Sequence, residues 1–160
     1  MSPEKGIGLR VEIIRRKGTV CPSAPEVKEF VRRLAAEAGS MADEVAVVLT
    51  QDEEIRRFNR RFRGVDAATD VLSFQGTGLP DGRKSQGEIV ISVQSARRQA
   101  AQRHHSLAEE IRYLLIHGFL HLMGFDHEND SGEMVREEYR LRDLLLNKRC
   151  GGSPTEDPRW

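Results

Sequence analysis

The sequence predicts an α+β fold in a single domain, and three observations carry that reading. Strand-like and helix-like runs succeed one another in an order that suits α+β architecture. No internal repeat and no linker divides the 160 residues, a length at which one domain is the default and a sizeable core can be buried. Hydrophobic residues make up 38% and charged residues 31%, the balance of a soluble globular chain rather than a disordered one. The domain is expected over residues 1–148. The polar, Gly/Pro-rich end of the chain, 149–160, is expected to be a disordered tail.

Each element has its own signal. In LRVEIIRR (9–16), Leu9, Val11 and Ile13 alternate with polar neighbours, as in a strand. SAPEVKEFVRRLAAEAG then predicts a helix with Pro25 in its first turn, Gly39 at its end and an apolar stripe of Val27, Phe30, Val31 and Leu34. EVAVVLT (44–50) is a short apolar run with buried-strand character. Thr50 and Glu53 have capping-box spacing and open a helix lined on one side by Ile55, Phe58 and Phe62. TDVLSF (69–74) and EIVISV (88–93) read as two more strands. They are joined by the Gly-rich QGTGLPDGRKSQG, a wide hairpin or mobile loop. Residues 93–103 are helical. Ser106 and Glu109 form a second capping-box pattern ahead of LAEEIRYLLIHGFLHLM, and a last helix over 133–147 uses Val135, Tyr139, Leu141, Leu144 and Leu145 as its inner side.

Charge and cysteine content narrow the function classes. Lysine plus arginine and aspartate plus glutamate number 25 each, so the chain has no global basic signature. The basic residues are nevertheless segregated into IRRFNRRFR (55–63) and ARRQAAQRHH (96–105), while Glu128, Asp130, Glu133, Glu137 and Glu138 are acidic. A local basic patch attracts phosphate whatever the total charge; the alternative is a solvated helix face. Cys21 and Cys150 are isolated, as ordinary thiols of a reducing compartment are. The N-terminus lacks the apolar centre of a secretory signal, no apolar run approaches a membrane span, and a cytoplasmic location is expected.

The chemistry concentrates in HGFLHLMGFDH (117–127), which holds three of the five histidines. His117 and His121, four apart, share one helix face. Gly124 suits the left-handed turn that ends a helix, and His127 can then return to the same ion. Three imidazoles with an open position are a catalytic zinc set. The alternatives are core histidines without metal, or a structural zinc, which usually takes four protein ligands. Asp126 and Glu128 lie close by, Asp126 as a candidate to orient a ligand. Zinc in an open site favours hydrolysis. In metalloproteases with related spacing the general-base glutamate follows the first histidine, and here that position is Gly118, which counts against peptide hydrolysis.

HGFLHLMGFDH, FNRRFRGVDAATDVLSF and GEIVISV together resemble the YbeY family of metal-dependent, single-strand-specific endoribonucleases, from about Val45 to Leu146. The resemblance implies a small mixed β-sheet of about four strands surrounded by helices, with one Zn2+ per chain at a helix end. It implies action on single-stranded RNA in maturation of the small-subunit ribosomal RNA 3′ end and in ribosome quality control. The partners implied are ribosomal RNA and the small subunit, with no DNA and no membrane. His117, His121 and His127 match the family's zinc ligands, and Arg63 its functional arginine. Arg63 and His117 are therefore the catalytic candidates, with Arg60 and Arg61 beside Arg63 as substrate-binding residues. Asn59 and Asp70, in the same motif, are assigned structural roles first, and Glu88 and Asp126 are candidates for a base or an orienting group. The chain departs from the family at Ala68, where proline is usual, and at Glu88, where aspartate is. The competing readings are a ribosome-assembly factor that binds RNA or protein and uses zinc for stability, and a peptide or amide hydrolase.

Overall fold

A computed structural model describes residues 8–19 and 21–146. The tail expected at 149–160, Cys150 and the last two residues of the expected domain lie outside the described residues. Nine elements occur among those described: β1 (Arg10–Arg15), α1 (Ala24–Glu37), β2 (Glu44–Thr50), α2 (Asp52–Arg63), β3 (Val71–Gln75), β4 (Ser85–Ser92), α3 (Val93–Gln102), α4 (Leu107–Leu122) and α5 (Glu133–Leu146). The sheet is mixed, in the order β1-β2-β4-β3. The first three strands are parallel, and β3 runs antiparallel to β4 at the edge, Leu72 opposite Val90 and Phe74 opposite Glu88.

The side-chain period of two divides β2 and β4 between two cores. Val45, Val47, Leu49, Ile89 and Ile91 face the larger core with Val31 and Leu34 of α1 and Leu115 and Phe119 of α4. Val48, Val90 and Leu72 face the other way and are covered by Ile55 of α2. A strand buried on both faces reads as an unbroken apolar run, which is why EVAVVLT lacks alternation. Helix α4 is likewise apolar nearly all round, because it lies between the sheet and α5. No helix among the described residues is long and apolar enough to cross a membrane.

Four local expectations need correction. Thr50 and Glu53 do not form a capping box. Thr50 is the last residue of β2, paired with Ser92, and its hydroxyl donates to Glu54; the N-cap of α2 is Gln51, without a side-chain cap. A full reciprocal box closes instead between Ser23 and Glu26 of α1, while Ser106 caps α4 by accepting from the Glu109 N–H. In α2, Ile55 is buried but Phe62 is 56% exposed and rests edge-on against Phe74. The inner face of α5 runs through Met134, Glu138, Leu141, Arg142 and Leu145, while Leu144 is exposed. The 75–87 connection is a wide hairpin, and β4 begins at Ser85, ahead of the predicted start.

Candidate metal centre

Helix α4 presents His117 and His121 one turn apart, with ring centroids 4.8 Å apart and Nε2 atoms 3.2 Å apart. The helix ends as its sequence predicts. Gly124 takes φ +95°, and the N–H groups of Gly124 and Phe125 bond back to the carbonyls of His121 and Leu120. This turn brings His127 to 5.8 and 5.6 Å from the other two rings. One nitrogen from each of the three lies within 4.8 Å of the others. Tetrahedral ligands at about 2.0–2.1 Å from a zinc ion stand about 3.3 Å apart, so the His117–His121 spacing fits that ion.

The rings are oriented from behind. Nδ1 of His121 donates to the Phe125 carbonyl at 3.0 Å, and Nδ1 of His117 faces Oε2 of Glu138 at 3.2 Å. Burial pushes the pKa of His121 down, and the charge of a protonated His117 pushes it further, so the neutral, ligating form is favoured. The helix is tied to the sheet at the same level. The Ser73 hydroxyl donates to the Gly118 carbonyl, Gln75 to that of His121 and Gln86 to that of Leu122, satisfying carbonyls near the helix end.

Opposite the histidines, Arg63 closes α2 and lines the same cleft of about 720 Å³, its Nη2 donating to the Ser73 carbonyl at 3.2 Å. Asn59 and Asp70 also line the cleft, and both hold backbone. Asn59 donates to the Ala67 carbonyl, and Asp70 accepts from the Val71 N–H and from Gln99. Asp126 lines the cleft but is engaged with Asn129 and the Glu128 N–H, hydrogen bonds that hold its carboxyl below the usual range. Glu88 is not at the cleft; its register opposite Phe74 puts it on the α2 face of the sheet.

The basic segments separate by partner. Arg56 pairs with Asp66, Arg57 with Glu53, Arg98 with Asp52 and Arg103 with the buried Glu110. The second predicted patch is therefore largely structural. Among the described residues no carboxylate lies within ion-pair distance of Arg60, Arg61 or Arg63; Arg60 lines a shallow groove beside Arg56, and the Arg61 guanidinium sits 5.3 Å over Phe62. Glu138 escaped the sequence reading. It lies in the Met134–Leu141–Leu145 core stripe of α5, a face other than the one its apolar residues predicted.

Fold and site together define an α+β protein whose sheet-edge cleft sets a three-imidazole, metal-competent cluster against a guanidinium. A family model described as "Endoribonuclease YbeY" matches residues 19–145. Proteins named "Endoribonuclease YbeY" from Chloroflexus aurantiacus and Koribacter versatilis are each 44% identical, over 84% and 83% of this chain and 92% and 84% of theirs. One from Bacillus pumilus is 37% identical over 84% of this chain and 94% of its own. A solution structure from Thermotoga maritima has the same fold, with TM-score 0.58 and 24% identity, over 94% of this chain and 97% of that one. The chain belongs to the YbeY endoribonuclease family.

Proposed function

We propose that this protein is a zinc-dependent endoribonuclease specific for single strands. It acts in the cytoplasm on ribosomal RNA rather than DNA, at the small-subunit RNA 3′ end, and in quality control of the small subunit. The observation that carries this reading is the convergence of His117, His121, His127 and Arg63 on one cleft. His117, His121 and His127 would hold the ion, which when bound would supply Lewis acidity and lower the pKa of an attacking oxygen toward neutrality. Three imidazoles also suit nickel or iron, and zinc is favoured for its tetrahedral habit and lack of redox chemistry.

The protein's own groups supply the rest. One Arg63 N–H is committed to the Ser73 carbonyl, which anchors the guanidinium and leaves its other donors for non-bridging phosphate oxygens. There it offsets charge that builds up in the transition state. Arg60 and Arg61, which form no direct ion pair among the described residues, extend the basic track along an RNA backbone. A single strand can bend one phosphate into a recessed cleft, as a stiff duplex cannot. Peptide hydrolysis is disfavoured because Gly118 brings no carboxylate.

Labelled single-stranded and duplex RNA incubated with metal-quantified protein tests this. Cleavage of single strands that tracks bound zinc is expected. His117→Ala and Arg63→Glu should each lower it by at least ~10²-fold, the cost of one transition-state contact. Folded, zinc-loaded protein that binds RNA without cutting it would instead favour the assembly-factor reading.

A further inference from the structure

Glu138 occupies a core position of α5 with no exposed surface, and two groups share its carboxylate. Oε2 accepts from Nδ1 of His117 at 3.2 Å, and Oε1 accepts from the guanidinium of Arg142 one turn further along α5. Arg142 is itself buried, 4.9 Å over the Tyr113 ring of α4 and 5.3 Å over that of Tyr139. A buried ion pair is a poor way to join two helices. Desolvation offsets most of its attraction, and apolar residues of similar volume usually serve as well or better. Met134, Leu141 and Leu145 already provide that apolar contact in the same stripe. What an apolar side chain could not provide is an acceptor at the back of His117.

That acceptor decides which nitrogen of the ring is available. A carboxylate offers only lone pairs, so the nitrogen facing it carries the proton, and the ring's ligating lone pair falls on Nε2. Nε2 of His117 is the atom 3.2 Å from Nε2 of His121. His121 is oriented in the same sense, but by a neutral carbonyl. The acceptor behind His117 carries a charge, so it holds that ring's Nδ1–H more firmly than a carbonyl does.

We propose that Glu138, clamped by Arg142, is a positioning residue of the metal centre: it fixes His117 as the Nδ1–H tautomer and strengthens Nε2 as a metal ligand. The inference rests on reading the three histidines as a metal site. It assigns to α5, whose sequence reads as an ordinary charged helix, a part in holding the ion.

The test measures zinc affinity by chelator competition and the His117 tautomer by ring 15N shifts, in the intact chain. Metal-free wild type should show His117 with its proton on Nδ1. Glu138→Leu combined with Arg142→Leu removes both charges together, so neither is left buried alone. It should bind zinc about 10–100-fold more weakly, with the tautomer no longer fixed. Glu138→Gln combined with Arg142→Leu restores a neutral acceptor and should recover the tautomer and most of the affinity. An apolar variant that folds and keeps wild-type affinity and tautomer overturns the inference. So does an Nε2–H tautomer in the metal-free wild type, which needs no variant to fold. Wild type that takes up no zinc would overturn the metal site itself, an outcome distinct from either of these.

Discussion

The residue after His117 is glycine, and its surroundings explain why. A Cβ on Gly118 would stand 3.0 Å from Cγ2 of Ile89, 3.1 Å from the Ser73 hydroxyl and 3.3 Å from Cγ2 of Val71. The side of α4 that would carry a metalloprotease glutamate is thus pressed against β3 and β4. Gly118→Glu should therefore not create a peptidase. Forcing a carboxylate into that contact should cost at least ~3 kcal/mol, from overpacking and from an unpaired buried charge. A shift of the urea midpoint checks this, and a stable variant that cleaves peptides would contradict it. The histidines were legible in the sequence because all three lie within one helix and its turn, where spacing alone decides which face they share. Arg63 is brought to them by the fold, and only family resemblance singled it out. Glu138 was not legible, because one glutamate among many on a charged helix shows its burial only once the partner helix is in place.

At the scale of elements, strand and helix signals held wherever burial set the period, and failed at junctions where neighbours from elsewhere in the chain took over. The start of α2 is the clearest case. Local spacing pointed to Thr50 as a cap, yet the hydrogen bonds there come from β4 and α3. Gln94 accepts from the Asp52 N–H. The Asp52 carboxylate in turn accepts from Ser92 at 2.5 Å, Ser95 at 2.6 Å and Arg98 at 2.8 Å. Burial works to raise the Asp52 pKa, but these three hydrogen bonds together outweigh it and hold the carboxyl below its usual value. A lowered folded-state pKa means stability that is present above the unfolded value and is lost as pH falls through the folded one. Asp52→Asn should therefore cost about 1–2 kcal/mol at pH 7, the worth of a few hydrogen bonds to a partly exposed charge. Its deficit relative to wild type should narrow once pH drops into the ordinary aspartate range. Denaturant titrations from pH 7 to pH 3 measure the gap, and a constant gap would mean that the charge contributes nothing. The sheet order itself was beyond local reading: nothing within TDVLSF says that it will lie antiparallel at the edge, where it forms one wall of the cleft.

At the scale of the whole molecule, equal numbers of acidic and basic residues conceal an uneven distribution of unpaired charge. Four of the eight arginines in the two basic segments are paired with carboxylates, so the field available to a polyanion comes mainly from Arg60, Arg61 and Arg63 rather than from the two segments as wholes. Binding that releases counterions weakens with salt in proportion to the phosphates neutralised, by about 0.7 in the log–log slope per contact on a single strand. Arg60→Ala combined with Arg61→Ala should flatten the salt dependence of single-stranded RNA affinity by about 1.4. It should leave metal content and thermal stability near wild type, since both side chains are exposed. The contrast is Arg57→Ala combined with Glu53→Ala, which deletes a charge pair on the same helix. That pair is already neutral as a unit, so the slope should stay as in wild type. Titrations at several salt concentrations in the His117→Ala background, where RNA should stay intact, would measure both. Equal flattening in the two variants would mean that RNA reads the arginine density of α2 as a whole, and that the ion pairs open when it binds. Flattening in the first alone would locate the RNA track at the C-terminal turn of α2, beside the three histidines.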